Sequence, residues 1–337
     1  MTGAGAPGAA GILQCLSAEP LFHVITADAN EGAYGQYLSA DFVRIPPGDD
    51  PLFTDRLLQI ARERKVAVIL PLVTRELVPL ALAREAFEKE GIHVMVSPAA
   101  SLEIANNKSR LYEFLEWRGI AVPPYRVVET VEQFRQAVEE LGYPAKPVCF
   151  KPSVANGSRG FRIISDTVDE LHLLLREKPG QLYISLDDAL RILSGGTFPE
   201  MLLAEYLPGE EYSVDCLSLH GEPVLIVPRL RKKMINGISV EGEFVEQKEI
   251  ISYCGQIIRE LKLHGNTGIQ VRADANGAFR VLEINPRVQG TISAGLGAGI
   301  NLPLLAIKQE LGWPIRPEEL AVQWGTRFSR YWQEVFY

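Results

Sequence analysis

Several features that would assign this chain to a common functional class are missing from it. Its cysteines form no CxxC pair, which argues against a zinc knuckle and a redox dithiol, and reduced, mostly buried thiols in a cytoplasmic protein are expected. The longest apolar run, residues 66–73, is too short for a membrane span. The chain also opens without the basic and apolar regions of a signal peptide. The four cysteines are Cys15, Cys149, Cys216 and Cys254.

Positive charge is also scarce. The formal net charge is −8 at pH 7, which argues against a general binder of nucleic acid or anionic membranes. Lysines and arginines must therefore be placed locally if the ligand is an anion. No Ser-His-Asp or Cys-His signature indicates a nucleophilic side chain. The length of 337 residues exceeds one ordinary core and suits two or three domains.

The first domain is predicted over residues 1–100. Strand and helix patterns alternate there, with a strand at 22–26 and one long helix at 76–90 among them. Strands that alternate with helices indicate a parallel α/β sheet.

Two further domains are predicted over residues 101–205 and 206–337. Strand, loop and helix patterns follow one another here, and a helix is expected over 166–176. Residues 177–200 contain proline and glycine and are interpreted as an irregular insertion.

The segment from Gly268 to Arg287 carries the most functional information. Asn276-Gly277 between two alternating runs predicts a two-residue hairpin turn, which pairs Gln270 with Glu283 and Asp274 with Phe279. One face then gathers polar groups that suit a hard cation such as Mg²⁺. An exposed polar sheet face is the alternative. The polar face holds Gln270, Arg272, Asp274, Glu283 and Asn285, with Arg287 following the same parity, whereas Val271, Ala273, Leu282 and Ile284 form the core face.

Two lysines stand where an anion is expected. Lys151 ends an apolar strand before a loop rich in serine, asparagine and glycine, whose amides can surround phosphate oxygens. Lys108 lies in the first turn of a helix, where a bound anion would offset the unfavourable helix dipole. An ordinary hairpin loop with a solvated lysine is the alternative.

Acidic and basic clusters mark the last third of the chain. Glu205 and the Glu210-Glu211 pair flank a short loop, where carboxylates can bind ribose hydroxyls or an adenine amino group. Acidic residues on a solvated turn are the alternative. The segment 229–237 concentrates positive charge, and its alternative is a solvated basic loop.

A glycine motif near the start suggests a different ligand. Gly3 to Gly8 fits GxGxxG, and Asp28 follows at the spacing of a dinucleotide-binding fingerprint. That motif must follow a strand, but only Met1-Thr2 precede it. The alternative is a tight turn into the first helix of an α/β domain.

Four motifs occur in a fixed order and together resemble the ATP-grasp ligases. The closest similarity in style is to the halves of the carbamoyl phosphate synthase large chain and to amino-acid ligases of that branch. The resemblance covers essentially the whole chain. It implies a pre-ATP-grasp parallel α/β domain followed by a two-subdomain ATP-grasp fold with antiparallel sheets. The motifs are Asn106-Asn-Lys-Ser109, Phe150-Lys-Pro152 with its Gly/Ser loop, Glu205-Tyr-Leu-Pro-Gly-Glu-Glu211 and Glu283-Ile-Asn-Pro-Arg287.

The resemblance also implies a role for each motif. Lys108 and Lys151 would contact nucleotide phosphates under a flexible lid of residues 153–160. Glu205, Tyr206 and Leu207 would form the adenine hinge, and Glu211 (or Glu210, one residue earlier) would bind ribose. Gln270, Glu283 and Asn285 would hold Mg²⁺ or Mn²⁺, and Arg287 would meet the γ-phosphate or an acyl phosphate. The lid residues expected at the nucleotide are Ser153, Asn156, Gly157, Ser158 and Gly160.

The expected function is that of an ATP- and Mg²⁺-dependent ligase. It would activate a carboxylate as an acyl phosphate, join it to an amine or thiol, and release ADP and phosphate. Arg229, Arg231 and Arg272 are the candidates for substrate recognition, since the guanidinium fork matches a carboxylate. The chain lacks the second half of a full carbamoyl phosphate synthase, which argues against that particular reaction. A homodimer acting on small molecules is expected. A non-catalytic ATP-binding regulator and an NAD(P)-dependent oxidoreductase are the alternatives.

Overall fold

The computed structural model describes residues 1–155, 159–169, 172, 175–176, 182–235 and 237–337. Contacts between residues divide the chain into two compact units. The first unit comprises Met1–Asn106, Glu210–Val271 and Leu282–Tyr337, and the second comprises Asn107–Gly209 and Arg272–Val281. These two units do not coincide with the three domains predicted from the sequence, and the three-domain division stays a prediction.

The first part of the first unit is the expected parallel α/β arrangement. Strand β1 pairs with β2 and β3 pairs with β4, both in parallel. Helix α2 buries Phe53, Leu57 and Ile60, a spacing of three to four residues that turns one face to the core. The strands are β1 Thr26–Asp28, β2 Phe42–Arg44, β3 Val68–Ile69 and β4 His93–Val94, and the helices are α1 Ala9–Ser17, α2 Phe53–Glu63, α3 Thr74–Leu82, α4 Arg84–Glu88 and α5 Ala99–Asn106, with a 3₁₀ turn at Tyr34–Tyr37.

The residues before the Gly3–Gly8 turn are too few for a full strand, but they pair with the strands of the α/β part. Thr2 forms a parallel bridge with Ala27, and its amide donates to the Leu70 carbonyl at 3.1 Å. The few residues before the glycine turn therefore link the two strand pairs.

The rest of the first unit is built on a six-stranded sheet in the order β14-β13-β10-β11-β12-β15. Strands β10, β11, β12 and β15 pair in an antiparallel manner. The strands are β10 Glu211–Leu219, β11 Glu222–Ile235, β12 Ile238–Phe244, β13 Gly265–Ala273, β14 Phe279–Asn285 and β15 Arg327–Ser329, accompanied by helices Lys248–Glu260 and Leu302–Glu310 and by 3₁₀ turns at Ile292–Ala298 and Pro317–Leu320.

The second unit has a five-stranded sheet in the order β5-β9-β6-β7-β8. Its pairs are antiparallel except for β7 with β8. Buried side chains such as Phe134, Phe150 and Leu203 form its core. The strands are β5 Tyr125–Val128, β6 Val148–Pro152, β7 Arg162–Ile164, β8 Tyr183–Ile184 and β9 Met201–Glu205, and the helices are α6 Lys108–Trp117, α7 Val131–Glu140 and α8 Leu186–Leu193.

Several predicted elements differ from the structure. The strand expected at 22–26 begins only at Thr26, and the helix expected at 76–90 is two helices separated at Ala83. Pro79 has no amide to continue the helical hydrogen bonds of α3. Residues 177–200 include strand β8 and helix α8, whose N-terminus is capped by the Ser185 hydroxyl. Of the helix expected at 166–176, residues 166–169 are not helical, whereas residues 172, 175 and 176 are helical. Residues 170, 171, 173 and 174 lie outside the described residues.

The cysteine and membrane predictions can also be compared with the structure. All four cysteines are free thiols, with Cys15, Cys216 and Cys254 buried and Cys149 half-buried. Burial raises the pKa of the Cys149 thiol to about 11. Within the described part of the chain, no helix has both the length and the apolar composition needed to cross a membrane.

Candidate active site

Lys108 anchors the start of the predicted phosphate loop. Asn107 caps helix α6 by accepting a hydrogen bond from the Arg110 amide, which places Lys108 at the first helical position. The Lys108 amide donates to the Ser153 carbonyl at 2.8 Å, and its Nζ donates to the Ala155 carbonyl at 2.7 Å. Lys108 and Ser153 are both buried. The structure therefore brings together these two residues, which the sequence assigned to one site.

Lys151 lies on β6, half-buried, with its Nζ 5.8 Å from the centre of the Tyr112 ring. Gly160 has a φ of +74°, and a Cβ there would lie 2.6 Å from Cδ of Pro152. The close packing of Gly160 against Pro152 of β6 thus explains why a residue without a side chain occupies this position. Asn156, Gly157 and Ser158, three of the predicted lid residues, lie outside the described residues.

The predicted adenine hinge follows β9 and is held at several points. The Glu205 amide donates to Pro124 O at 3.0 Å, and the Tyr206 amide donates to Pro147 O at 3.1 Å. Leu207 is buried. The Glu205 carboxylate lies 3.9 Å from the Lys146 ammonium.

Arg272, a predicted substrate residue, binds this hinge. Its Nε donates to Gly209 O and its Nη2 donates to the Tyr206 hydroxyl, both at 3.0 Å. Its guanidinium carbon also lies 4.9 Å from the centre of the Tyr206 ring. This contact has no local signal in the sequence, because 66 residues separate Tyr206 from Arg272.

The two candidate ribose residues have protein partners. Glu210 accepts a hydrogen bond from the Tyr212 hydroxyl at 3.0 Å. Burial, with Glu210 as a second cause, raises the pKa of Tyr212 to about 12. Glu211 forms an ion pair with Arg231, which also donates to the Ser239 hydroxyl at 3.0 Å. The structure thereby joins the predicted ribose carboxylate to a predicted substrate arginine.

The basic segment 229–237 is not a solvated loop at its start, because β11 runs to Ile235. Arg229 is fully buried, and its Nε and Nη2 donate to the Asp215 carboxylate at 3.2 and 3.1 Å. Its Nη2 also donates to the Thr291 hydroxyl at 2.7 Å. Gln289 completes the cluster, donating to Asp215 at 3.0 Å and accepting from Ser213 at 2.8 Å. Sequence reasoning missed Asp215, Gln289 and Thr291, although two of these follow the Glu-Ile-Asn-Pro-Arg motif closely.

The hairpin turn has three residues instead of the predicted two. The Asp274 amide donates to Ala278 O, and the Gly277 amide donates to Asp274 O. Gly277 adopts a φ of +83°, which favours glycine. The predicted pairing of Asp274 with Phe279 is therefore wrong by one residue.

The predicted faces of the hairpin hold on β13 but not on all of β14. Gln270 and Arg272 are half-buried between buried Val271 and Ala273, as predicted. On β14, however, Val281 is buried and Leu282 is only half-buried, the reverse of the prediction. Ile284, in contrast, is buried between half-buried Glu283 and Asn285, as predicted, so the two-residue repeat is interrupted between Val281 and Ile284.

Glu283, Asn285 and Arg287 form a connected polar row after the hairpin. The Asn285 side-chain amide donates to Glu283 at 3.4 Å, and its oxygen accepts from Nη2 of Arg287 at 3.5 Å. Arg287 also donates to Val288 O at 2.9 Å and to the Thr74 hydroxyl at 3.2 Å. Burial lowers the pKa of Arg287, and nearby Glu283 opposes that shift. Two of the three predicted ligands, Glu283 and Asn285, are therefore neighbours of the predicted reaction arginine.

The glycine motif near the start has a packing role. A Cβ at Gly8 would lie 2.1 Å from the Gly290 carbonyl oxygen. The Asp28 carboxylate, the acid of the apparent fingerprint, accepts from the Gly5 amide at 2.7 Å. Close contact between chain segments thus explains the motif without a dinucleotide.

Comparisons with known proteins agree with this geometry. Residues 197–330 match the family described as ATP-grasp in the biosynthetic pathway with Ter operon, and residues 10–95 match the PylC-like N-terminal domain. The carbamoyl phosphate synthase large chain of Pseudothermotoga lettingae is 24% identical over 82% of this chain and 25% of its own length. The chain therefore spans about a quarter of that relative.

Solved structures with the same fold are also found. N5-carboxyaminoimidazole synthetase from Staphylococcus aureus has a TM-score of 0.68 at 17% identity, over 96% of this chain and 78% of that one. The biotin carboxylase domain dimer of 2-oxoglutarate carboxylase from Hydrogenobacter thermophilus, solved with MgADP and bicarbonate, has a TM-score of 0.65 at 18% identity, over 94% and 71%. The ATP-grasp family match over residues 197–330, the related sequences and the shared fold make this chain similar to the ATP-grasp ligases.

Proposed function

We propose that the protein is an ATP- and Mg²⁺-dependent ligase that joins a carboxylate to an amine, or to a thiol, and releases ADP and phosphate. The connected row of Glu283, Asn285 and Arg287 is the observation that carries the proposal. It combines a carboxylate and an amide with a half-buried guanidinium in one short segment. Such a set can hold a cation and neutralise a phosphoryl group undergoing transfer.

The hinge residues support adenine as the base. The amides of Glu205, Tyr206 and Gly209 are bonded to backbone carbonyls, and Pro208 has no amide hydrogen. Among the residues described between 205 and 209, this leaves the Leu207 amide without a backbone acceptor. Adenine offers a ring nitrogen that accepts such a bond and an amino group that donates to a carbonyl. Guanine presents the opposite pattern on that edge.

The donor chemistry of the predicted metal residues fits Mg²⁺. Amide and carboxylate oxygens are its usual protein ligands, and Gln270, Glu283 and Asn285 supply them. In the described portion of the chain, no group of three or more His, Cys, Asp or Glu residues could hold a metal ion, and the proposed set instead combines one carboxylate with two side-chain amides. When bound, Mg²⁺ would supply positive charge to the phosphate oxygens.

In the proposed reaction, a carboxylate oxygen of the substrate attacks the γ-phosphorus of ATP. The bond from that phosphorus to the bridging oxygen breaks, and ADP leaves. The amine lone pair then attacks the acyl carbon, phosphate leaves, and the amine loses a proton. Lys108, Lys151 and Arg287 would hold the phosphate oxygens, and positioning with charge neutralisation would carry most of the catalysis.

Recognition of the carboxylate is assigned first to Arg231. Its ion pair with Glu211 would couple the acid to the ribose side of the nucleotide. The full burial of Arg229 against Asp215 favours a structural role for that residue, and Arg272 binds the hinge. We also propose that both substrates are small molecules, that the protein forms a homodimer and that it is cytoplasmic.

A phosphate-release screen tests the proposal. Amino acids and small acids are supplied singly and in pairs with Mg·ATP, and the expected result is release that requires both an acid and an amine. A non-catalytic ATP-binding regulator would bind ATP in a titration but release no phosphate with any pair. An NAD(P)-dependent oxidoreductase would bind NAD(H) in preference to ATP.

A further inference from the structure

We infer that Arg272 is a positioning residue that fixes the adenine hinge and thereby sets the preference of the site for adenine over guanine. The inference rests on the proposed binding of ATP. It gives Arg272 a role that the substrate assignment from sequence did not include. All the residues involved belong to the second unit.

Two separate sets of contacts attach the segment 206–209 to the hairpin. The first is made by the backbone, since the Gly209 amide donates to Ala273 O at 3.0 Å. A Cβ on Gly209 would lie 2.6 Å from the Ala273 side chain, so the two segments are in close contact. The second is the Arg272 side chain, which bonds Gly209 O and the Tyr206 hydroxyl. Arg272 therefore spans the hinge from one end to the other.

The chemistry of arginine suits this task. The planar guanidinium donates in fixed directions and also stacks on an aromatic ring, so one side chain restrains both the backbone at Gly209 and the ring of Tyr206. Leu207, whose amide is the proposed donor to the base, lies between these two anchored residues. A hinge held at both ends keeps that amide in one direction. The preference for adenine depends on that direction, because a misdirected amide forms only a weak hydrogen bond with either adenine or guanine.

The consequence is specific to the base. The proposed phosphate residues Lys108 and Lys151 are on α6 and β6, outside the hinge segment 206–209. Loosening the hinge should therefore weaken ADP binding more than GDP binding. A general loss of structure would weaken both nucleotides together.

The test compares Arg272→Met with a matched variant, Arg280→Met. Arg280 lies on the same hairpin, half-buried, and pairs with Asp274 at 3.2 Å without contacting the hinge. Isothermal titration calorimetry gives the Kd of each protein for Mg·ADP and Mg·GDP, and thermal melting follows the fold. Arg272→Met should weaken ADP binding about tenfold, the effect of lost hydrogen bonds to a charged group, and lower the ratio of ADP to GDP affinity. Arg280→Met should leave that ratio unchanged.

A double-mutant cycle with Tyr206→Phe adds a second readout. The hydroxyl is lost but the ring remains, so this variant should weaken ADP binding less than Arg272→Met does. In the Arg272→Met background the same change should have no further effect, because its partner is already gone. An unchanged ADP to GDP ratio in Arg272→Met, with normal ADP binding by the unmodified protein, would overturn the hinge inference alone. Failure of the unmodified protein to bind ADP would overturn the proposed function with it.

Discussion

The guanidinium of Arg287 donates from Nε to the hydroxyl of Thr74 at 3.2 Å, although 213 residues separate the two in the sequence. Thr74 is the first residue of α3 in the α/β part of the first unit. Arg287 follows the last metal-ligand candidate on β14. The contact shows that the α/β part orients the proposed reaction arginine as well as contributing a core.

Replacing Thr74 with valine should therefore lower kcat about tenfold or more, the usual effect of removing a hydrogen bond to a charged group. Thr74→Ser keeps the hydroxyl and should restore most of the rate. Steady-state kinetics with the acid and amine found in the screen measure both variants. The control is Thr326→Val, which removes a hydroxyl that donates to the nearby Gln323 carbonyl at 2.7 Å. A rate unchanged in Thr74→Val would show that Arg287 needs no support from α3.

The Arg229–Asp215 pair should act on stability. Both side chains are almost fully buried, so Arg229→Met leaves an uncompensated carboxylate and should cost about 3–5 kcal/mol of unfolding free energy. The double variant Arg229→Met with Asp215→Leu should recover most of that loss. Urea denaturation measures each protein. A substrate role would instead appear as near-normal stability in Arg229→Met with a raised KM for the acid.

Glu76 predicts a pH dependence of stability. Burial raises its pKa to about 7 from an ordinary 4.5, opposed by the hydrogen bond from the Thr2 hydroxyl at 2.5 Å. Between these values the folded state holds a proton that the unfolded state has lost, so the free energy of unfolding falls as pH rises through this window. The predicted total is about 3 kcal/mol.

Denaturation at several pH values between 4.5 and 7.5 tests that slope. Glu76→Gln stays neutral while keeping an acceptor for Thr2, and it should flatten the slope. Glu85→Gln changes an exposed residue of the neighbouring helix α4 and should leave it unchanged. If the unfolding free energy depended on pH equally in all three proteins, the claim that Glu76 is protonated in the folded state would be wrong.

Glu283→Gln should abolish turnover and weaken the Mg²⁺-dependent part of ATP binding, because it removes the carboxylate from the proposed ligand set. The fold should survive, since the side chain is half-buried and the amide has a similar shape. Titration of ATP with and without Mg²⁺ separates the two effects. Glu222→Gln, an exposed carboxylate paired with Arg259 at 3.5 Å, is the control. Equal Mg²⁺ dependence in the two variants would remove Glu283 from the metal site.

Much of this arrangement could be predicted from local sequence. The row of Glu283, Asn285 and Arg287 was predictable because its residues lie on or just after one strand. The family resemblance, and not local sequence, assigned Lys108 and the loop after β6 to one site, since 47 residues separate Lys108 from Ala155. The error at the hairpin arose from the turn, since Asn276-Gly277 also fits a three-residue loop with Gly277 at positive φ. Contacts between distant segments, such as Arg272 with Tyr206 and Arg229 with Asp215, had no local signal. The sequence therefore singled out these arginines as candidates but did not indicate what each one contacts.

The central claim is that the substrate carboxylate becomes an acyl phosphate, and transfer of an oxygen label tests it most directly. A carboxylate labelled with oxygen-18 is supplied with ATP and the amine identified by the screen, and the products are analysed by mass spectrometry. The account predicts ADP together with phosphate that carries one labelled oxygen from the acid. Label in AMP with release of pyrophosphate, or unlabelled phosphate beside a completed ligation, would contradict it.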